Sequence, residues 1–232
     1  MWSVGSFKPS ITTEPTSKAA QSPTGLDLSL DVKDEGLTSL DGRSQSQIRR
    51  VALTLPEGMI ANPSVAEGLA VCSEADLVRE TLQAEPGQGC PEASKIDSVE
   101  VESPLVDEAI KGFLFQATPH ANLADDSLIA LYIVIKNPKL GIVVKQTARV
   151  VPNPRTGQLE GITDDIPQLP FSHFRLHFRE GGRSPLVSPP SCGNHQAKAV
   201  ARGLVRARFL NTQFAGIASA GLRLGSLHTK II

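Results

Sequence analysis

Aromatic side chains are scarce in this sequence, at 4% of 232 residues with one Trp and one Tyr, so a carbohydrate-binding face built on aromatic platforms is a weak reading. Long apolar runs are missing too. The longest, from Leu128 to Ile135, falls far short of the ~18 residues that a bilayer-spanning helix needs. No sign of charge dominates: 23 Lys and Arg against 24 Asp and Glu leave a formal net charge of −1, which excludes a generally basic nucleic-acid binder. Gly 19 and Pro 17 stay well below the ~25–30% combined content that marks disorder. The chain has no Gly-x-Ser-x-Gly elbow and no glycine-rich phosphate loop, and Gly181-Gly182 after a strand pattern reads as a hairpin turn. What remains is a globular chain long enough for a real core.

The dominant pattern is alternation with period two. Leu26–Val32 alternates cleanly, and Ile48–Leu55 places Val51, Leu53 and Leu55 on one side. Asn62-Pro63 is a cap followed by a proline, so a short helical turn is expected there. Ser73-Glu74-Ala75-Asp76 has the form of a capping box and should open a helix reaching about Leu82. Strands resume over Ser98–Glu102 and Ile110–Gln116. The strongest hairpin signal is Ser127–Lys136 and Gly141–Val151 around Asn137-Pro138. Its first arm is apolar almost throughout, as expected of a central strand covered on both faces. Gln158–Thr163 and Ser172–Arg179 complete about eight strands, which argue for an all-β fold, an antiparallel Ig-like β-sandwich with a short helical insert.

Candidate chemistry is thin. His173 and His177 share a strand face with Arg175 and Arg179, but at ~3.3 Å per residue they stand ~13 Å apart, too far to ligate one metal ion. The four are read as a surface basic patch, and neither a metal nor a cofactor is expected. The pairs Asp125-Asp126 and Asp164-Asp165 lack the alternating spacing of a calcium loop, as does Asp31–Gly36, where Lys33 takes a ligand position. They leave open a hydrolase whose carboxylates converge only in three dimensions.

The chain ends differ from the middle. Residues 1–24 are rich in Ser, Thr, Pro and Lys and read as a flexible lead-in, without the basic-then-apolar pattern of a signal peptide. Residues 193–232 contain Lys198, Arg202, Arg206, Arg208, Arg223 and Lys230 but no Asp or Glu. Lys198, Arg202 and Arg206, at i, i+4 and i+8, would lie along one helix face. This tail is expected to be helical or disordered, separate from a domain spanning 25–192, and dispensable for folding. A native tail could meet a membrane surface. Three cysteines, Cys72, Cys90 and Cys192, allow one bond or three buried thiols; Pro86, Gly87 and Gly89 would let the chain fold back to join Cys72 to Cys90.

Several segments in combination resemble an uncharacterised family of exported tandem β-domain repeat proteins of the actinobacterial surface. They include Leu53-Thr54-Leu55-Pro56-Glu57-Gly58 with Asn62-Pro63, Cys72-Ser73-Glu74-Ala75, and Cys90-Pro91-Glu92-Ala93-Ser94-Lys95-Ile96. Pro104-Leu105 with Lys111-Gly112, Ile166–Phe171, Phe174–Phe178, Gly182–Leu186 and Pro189–Gly193 extend the likeness over about residues 25–193. The resemblance implies an extracellular or cell-surface location, a Cys72–Cys90 disulfide, and neighbouring β-domains of the same or similar chains as partners. It carries no catalytic motif. The resulting expectation is a non-enzymatic structural or adhesive module, with no nucleic-acid partner.

Overall fold

The structure is a computed structural model that describes residues 9–32, 47–63, 70–118, 127, 129–203 and 207–219, the last segment as backbone only. Its strands are β1 (Ser10–Pro15), β2 (Ala19–Ala20), β3 (Pro23–Thr24), β4 (Leu26–Asp31), β5 (Ile48–Thr54) and β6 (Ile60–Ala61). After the short helix α1 (Glu74–Arg79) come β7 (Lys95–Glu102), β8 (Ile110–Ala117), β9 (Ile129–Asn137), β10 (Ile142–Pro152) and β11 (Leu159–Thr163). The last four are β12 (His173–Phe178), β13 (Leu186–Val187), β14 (Gly193–Gly203) and β15 (Ala207–Ser219).

Twelve strands join in the order β1-β4-β12-β7-β8-β9-β10-β11-β5-β14-β15-β2. Every pairing from β1 to β15 is antiparallel, and at the far end β1 comes within 8 Å of β15, so the sheet nearly closes on itself. The fold is therefore all-β and antiparallel, as the alternation predicts. The strand order makes a single near-barrel and not clearly the two facing layers of an Ig-like sandwich. Near-closure removes the exposed edges that an open sheet this wide would present.

Register determines which side chains point inward, because directly opposed residues share a face. Ile11 opposes Leu30, Leu30 opposes Phe174, and Phe174 opposes Val101. On the other side Val150 opposes Gly161, Gly161 opposes Leu53, and Leu53 opposes Ala199. One end is stoppered by a small sheet of β3, β13 and β6, packed where Leu26, Leu55, Met59, Leu159 and Leu186 are buried together.

The hairpin forms where expected. Asn137 accepts the Leu140 amide at 3.2 Å across the 3-10 turn Pro138–Leu140, and Gly141 leaves that turn at φ 67°, a conformation glycine tolerates best. β9 is covered on both faces. Inward lie Leu131, Ile133 and Ile135, while outward Ala130, Tyr132 and Val134 pack with Phe115 against Cys72 and Cys90. The cover is residues 72–94, tied by the Cys72–Cys90 disulfide. Ser73 caps α1: its hydroxyl accepts the Asp76 amide at 3.2 Å and the Asp76 carboxylate accepts the Ser73 amide at 2.9 Å. Those bonds from Ser73 hold the Asp76 carboxyl below its usual range. Lys145 donates to the carbonyls of Leu77 and Val78 at the helix end, where positive charge is favoured. Nearly buried Glu80 takes Lys136 at 2.6 Å and the Cys90 amide at 2.9 Å.

Three expectations are corrected. The lead-in contains β1, whose Ile11, Thr13 and Pro15 point inward and are buried. β-Branched threonine suits a strand as well as a linker, so the composition misled. The tail likewise contributes β14, inserted between β5 and β15 with Ala197, Ala199 and Ala201 buried. Positions i and i+4 share a strand face as well as a helix face, so Lys198 and Arg202 fit both, and the alternating alanines decide for the strand. The boundaries at 24 and 192 therefore cut through the sheet, and residues 193–203 are part of it. The turn expected to follow Pro63 lies outside the described residues. So do Asp125, Asp126, Trp2, Arg206 and the chain beyond 219.

Candidate functional site

The near-barrel encloses a cavity of about 620 Å³, within the ~300–1,000 Å³ of small-molecule sites. Alternate residues from most strands of the circuit line it, among them Ile11, Leu28, Leu53, Leu114, Leu131 and Leu176. The room exists because one part of the wall is built from small residues. Ala148 and Gly161 stand there on the adjacent strands β10 and β11. At Gly161 an added Cβ would meet only the Leu53 carbonyl, at 3.9 Å. Leu28, Val51, Leu53 and Leu131 are accordingly only half-buried although they point inward. The end away from the stopper lies beyond Glu102 of β7 and ahead of His173 of β12. There Leu105 and Leu169 line the cavity and are 65% and 54% exposed, so this end meets solvent.

One buried carboxyl stands on the inward side of β7 without lining the cavity. Asp97 on β7 opposes Leu114 of β8 and Phe178 of β12, both of which line the cavity. It is 5% exposed. Its Oδ1 accepts the Ser98 amide at 2.6 Å, and its Oδ2 has no hydrogen-bond partner among the described residues. Burial pushes its pKa up to about 8, against the Ser98 bond, with Asp27 raising it further and Arg179 lowering it. The carboxyl is therefore mostly protonated at neutral pH. The sequence pattern misses it because the alternation of β7 reads only from Ser98, one residue too late.

The residues singled out from sequence are placed as follows. His173, Arg175 and His177 do share the outer face of β12, but each meets acid. His173 Nδ1 lies 2.5 Å from Asp31, Arg175 reaches Glu100 at 3.1 Å and Glu102 at 2.6 Å, and His177 pairs with Asp27. Four carboxylates thus face Arg175 and the two histidines, so this side of β12 is not the basic patch that was expected. Arg179 turns away and donates to the Arg183 carbonyl at 2.8 Å. Asp164 bridges Arg50 and Arg149, while Asp165 pairs with Arg49, so this carboxylate pair is spent on separate ion pairs. Cys72 and Cys90 are bonded as expected, and Cys192 is free and exposed. Among the described residues no group of three His, Cys, Asp or Glu could hold a metal ion. Comparison with family models, with curated proteins and with solved structures found no match.

Proposed function

We propose that this chain is a non-enzymatic binding module of an exported bacterial surface protein, and that the interior of its near-barrel receives an apolar small molecule. The observation that carries the reading is the cavity, walled by apolar side chains that the fold leaves half-buried although they face inward. Burying such surface against a ligand is favourable by ~25 cal/mol per Å². The disulfide supports an oxidising compartment, since such bonds are rare where the cytosol keeps thiols reduced. In that setting the module would work beside neighbouring β-domains of the same or similar chains, as the resemblance implies.

The test is titration of the purified protein with an environment-sensitive apolar fluorophore. One bound probe per chain is expected, displaced by long-chain apolar molecules and lost in Gly161→Phe, which places a ring in the cavity. A wild-type protein that binds no probe, or a variant that binds it equally well, overturns the reading and returns the module to a purely structural or adhesive role.

A further inference from the structure

The wall of the cavity carries a few polar residues, and most of them are engaged elsewhere. Arg149 opposes Ala130, which packs outward under the insert, and its guanidinium pairs with Asp164 at 2.9 Å. Asn62 donates to the carbonyls of Gly182 and Ser184, and the Ser103 hydroxyl accepts the Leu105 amide. Gln146 and Thr163 differ. Both line the cavity and are half-buried. Gln146 opposes Ile133 and Thr163 opposes Ala148, so the two are diagonal neighbours on the inward face, ~7–8 Å apart. Gly161 precedes Thr163 by two positions on the same face, which sets the pair beside the part of the wall where volume is missing. The Gln146 amide nitrogen donates to the Asp164 carbonyl at 2.6 Å and to the Thr147 carbonyl at 3.1 Å. With both hydrogens committed, the amide is held in place and its Oε1 is left as an acceptor, without a partner among the described residues. The Thr163 hydroxyl has no partner among them either.

We infer that Gln146 and Thr163 seat the single hydroxyl of an otherwise apolar ligand, an alcohol with an extended or ring hydrocarbon body. The ligand O–H donates to Gln146 Oε1, and its oxygen accepts from the Thr163 hydroxyl. Thr163 ends β11, where the chain leaves toward exposed Leu169, so the polar end of the ligand lies on the side of the cavity that meets solvent. A carboxylate would meet the acceptor Oε1 without a cation beside it, and an amine would bury its charge against neutral groups. The inference rests on the proposed apolar binding and adds the chemistry of the ligand's polar end.

The experiment displaces the bound fluorophore with three compounds of equal heavy-atom count: a saturated hydrocarbon, a long-chain primary alcohol and a methyl ether. The ether keeps an acceptor oxygen but has no O–H to donate. Wild type should bind the alcohol about 3- to 10-fold more tightly than the ether, the worth of one net hydrogen bond. Gln146→Met, which keeps the side-chain length without the acceptor, should bind the two alike. Thr163→Val should weaken both by a similar factor and leave their ratio unchanged. Gln116→Leu, on the same wall opposite Leu131, should alter neither. Equal binding of alcohol and ether by wild type sinks the hydroxyl seat while leaving apolar binding intact. A preference that survives Gln146→Met, or that disappears in Gln116→Leu, also overturns it. Displacement by none of the three removes the underlying reading as well.

Discussion

The two faces of β8 and β9 are both apolar and meet different fates. Outward, Phe115, Ala117, Tyr132 and Val134 are buried under the chain's own disulfide-tied insert. Inward, Leu131, Ile133 and Ile135 face the cavity. Hydrophobicity along these strands does not distinguish the two. The difference lies in what each face meets: a looped segment anchored by Glu80 and Lys136 on one side, an interior walled in part by alanine and glycine on the other. An apolar face therefore marks burial, and the volume of the facing residues decides what does the burying.

The comparison breaks first under truncation. Phe115→Ala, on the filled side, should cost ~3–5 kcal/mol, as for a large side chain removed from a close-packed site. Leu131→Ala, on the cavity side, should cost less than the ~2 kcal/mol at which fully buried Leu losses begin, because its inward face already lacks close neighbours. Equal losses, read from denaturant midpoints, would mean that the two faces are packed alike. The insert's tie comes next. Its 18-residue separation should contribute ~3 kcal/mol through the unfolded chain, so Cys72→Ser with Cys90→Ser should lower the melting midpoint, and reductant should lower wild type similarly. No shift on reduction would show that Glu80 and Lys136 hold the insert alone.

The insert and the central strands were legible because each carries a strong local signal: a capping box at Ser73 and Asp76, a proline-glycine turn between two Ile- and Val-rich arms. β1 and β14 were hidden because their inward positions include Thr13, Ala197, Ala199 and Ala201, whose low hydrophobicity reads as linker or helix. The cavity was illegible for the same reason. It consists of missing volume, and missing volume appears only when register brings Ala148 and Gly161 onto the inward face. The acidic partners of the β12 face were equally invisible, since Asp27, Asp31, Glu100 and Glu102 come from strands far away in the chain.

Asp97 sharpens the inward side by pH. Its pKa rises from 3.8 in the unfolded chain to about 8 when folded, so between those values the native state holds a proton that the unfolded state has released. Stability must therefore fall as pH rises through that window, by at most ~1.4 kcal/mol per unit, and stay level below about pH 4 and above about pH 8. Asp97→Asn removes this titration. Its stability should lack this slope, so its margin over wild type should grow by up to ~1.4 kcal/mol per pH unit between about pH 4 and about pH 8, whatever fixed cost the buried amide adds at every pH. Parallel stability curves for the two proteins would show that the carboxyl ionises as freely in the fold as outside it.

The smallest expected effect separates two inward glycines. A Cβ at Gly112 would fall 2.4 Å from the Val134 carbonyl oxygen and 2.8 Å from Ile135 Cα, both backbone atoms that cannot swing aside. Gly112→Ala should therefore cost ~1–3 kcal/mol, as overpacking does. Gly161 has no such neighbour, its nearest contact being 3.9 Å away, and its φ is not in the left-handed region. There Gly161→Ala limits the unfolded chain without strain, which is worth ~0.4–1 kcal/mol in favour of folding. Extending the series to Gly161→Leu should add apolar contact inside the cavity and leave stability at or slightly above wild type. Thermal melts of the three variants decide the point: if both Gly161 substitutions destabilise as much as Gly112→Ala, the wall at β11 is already filled, and the space beside it is not one that a ligand could enter.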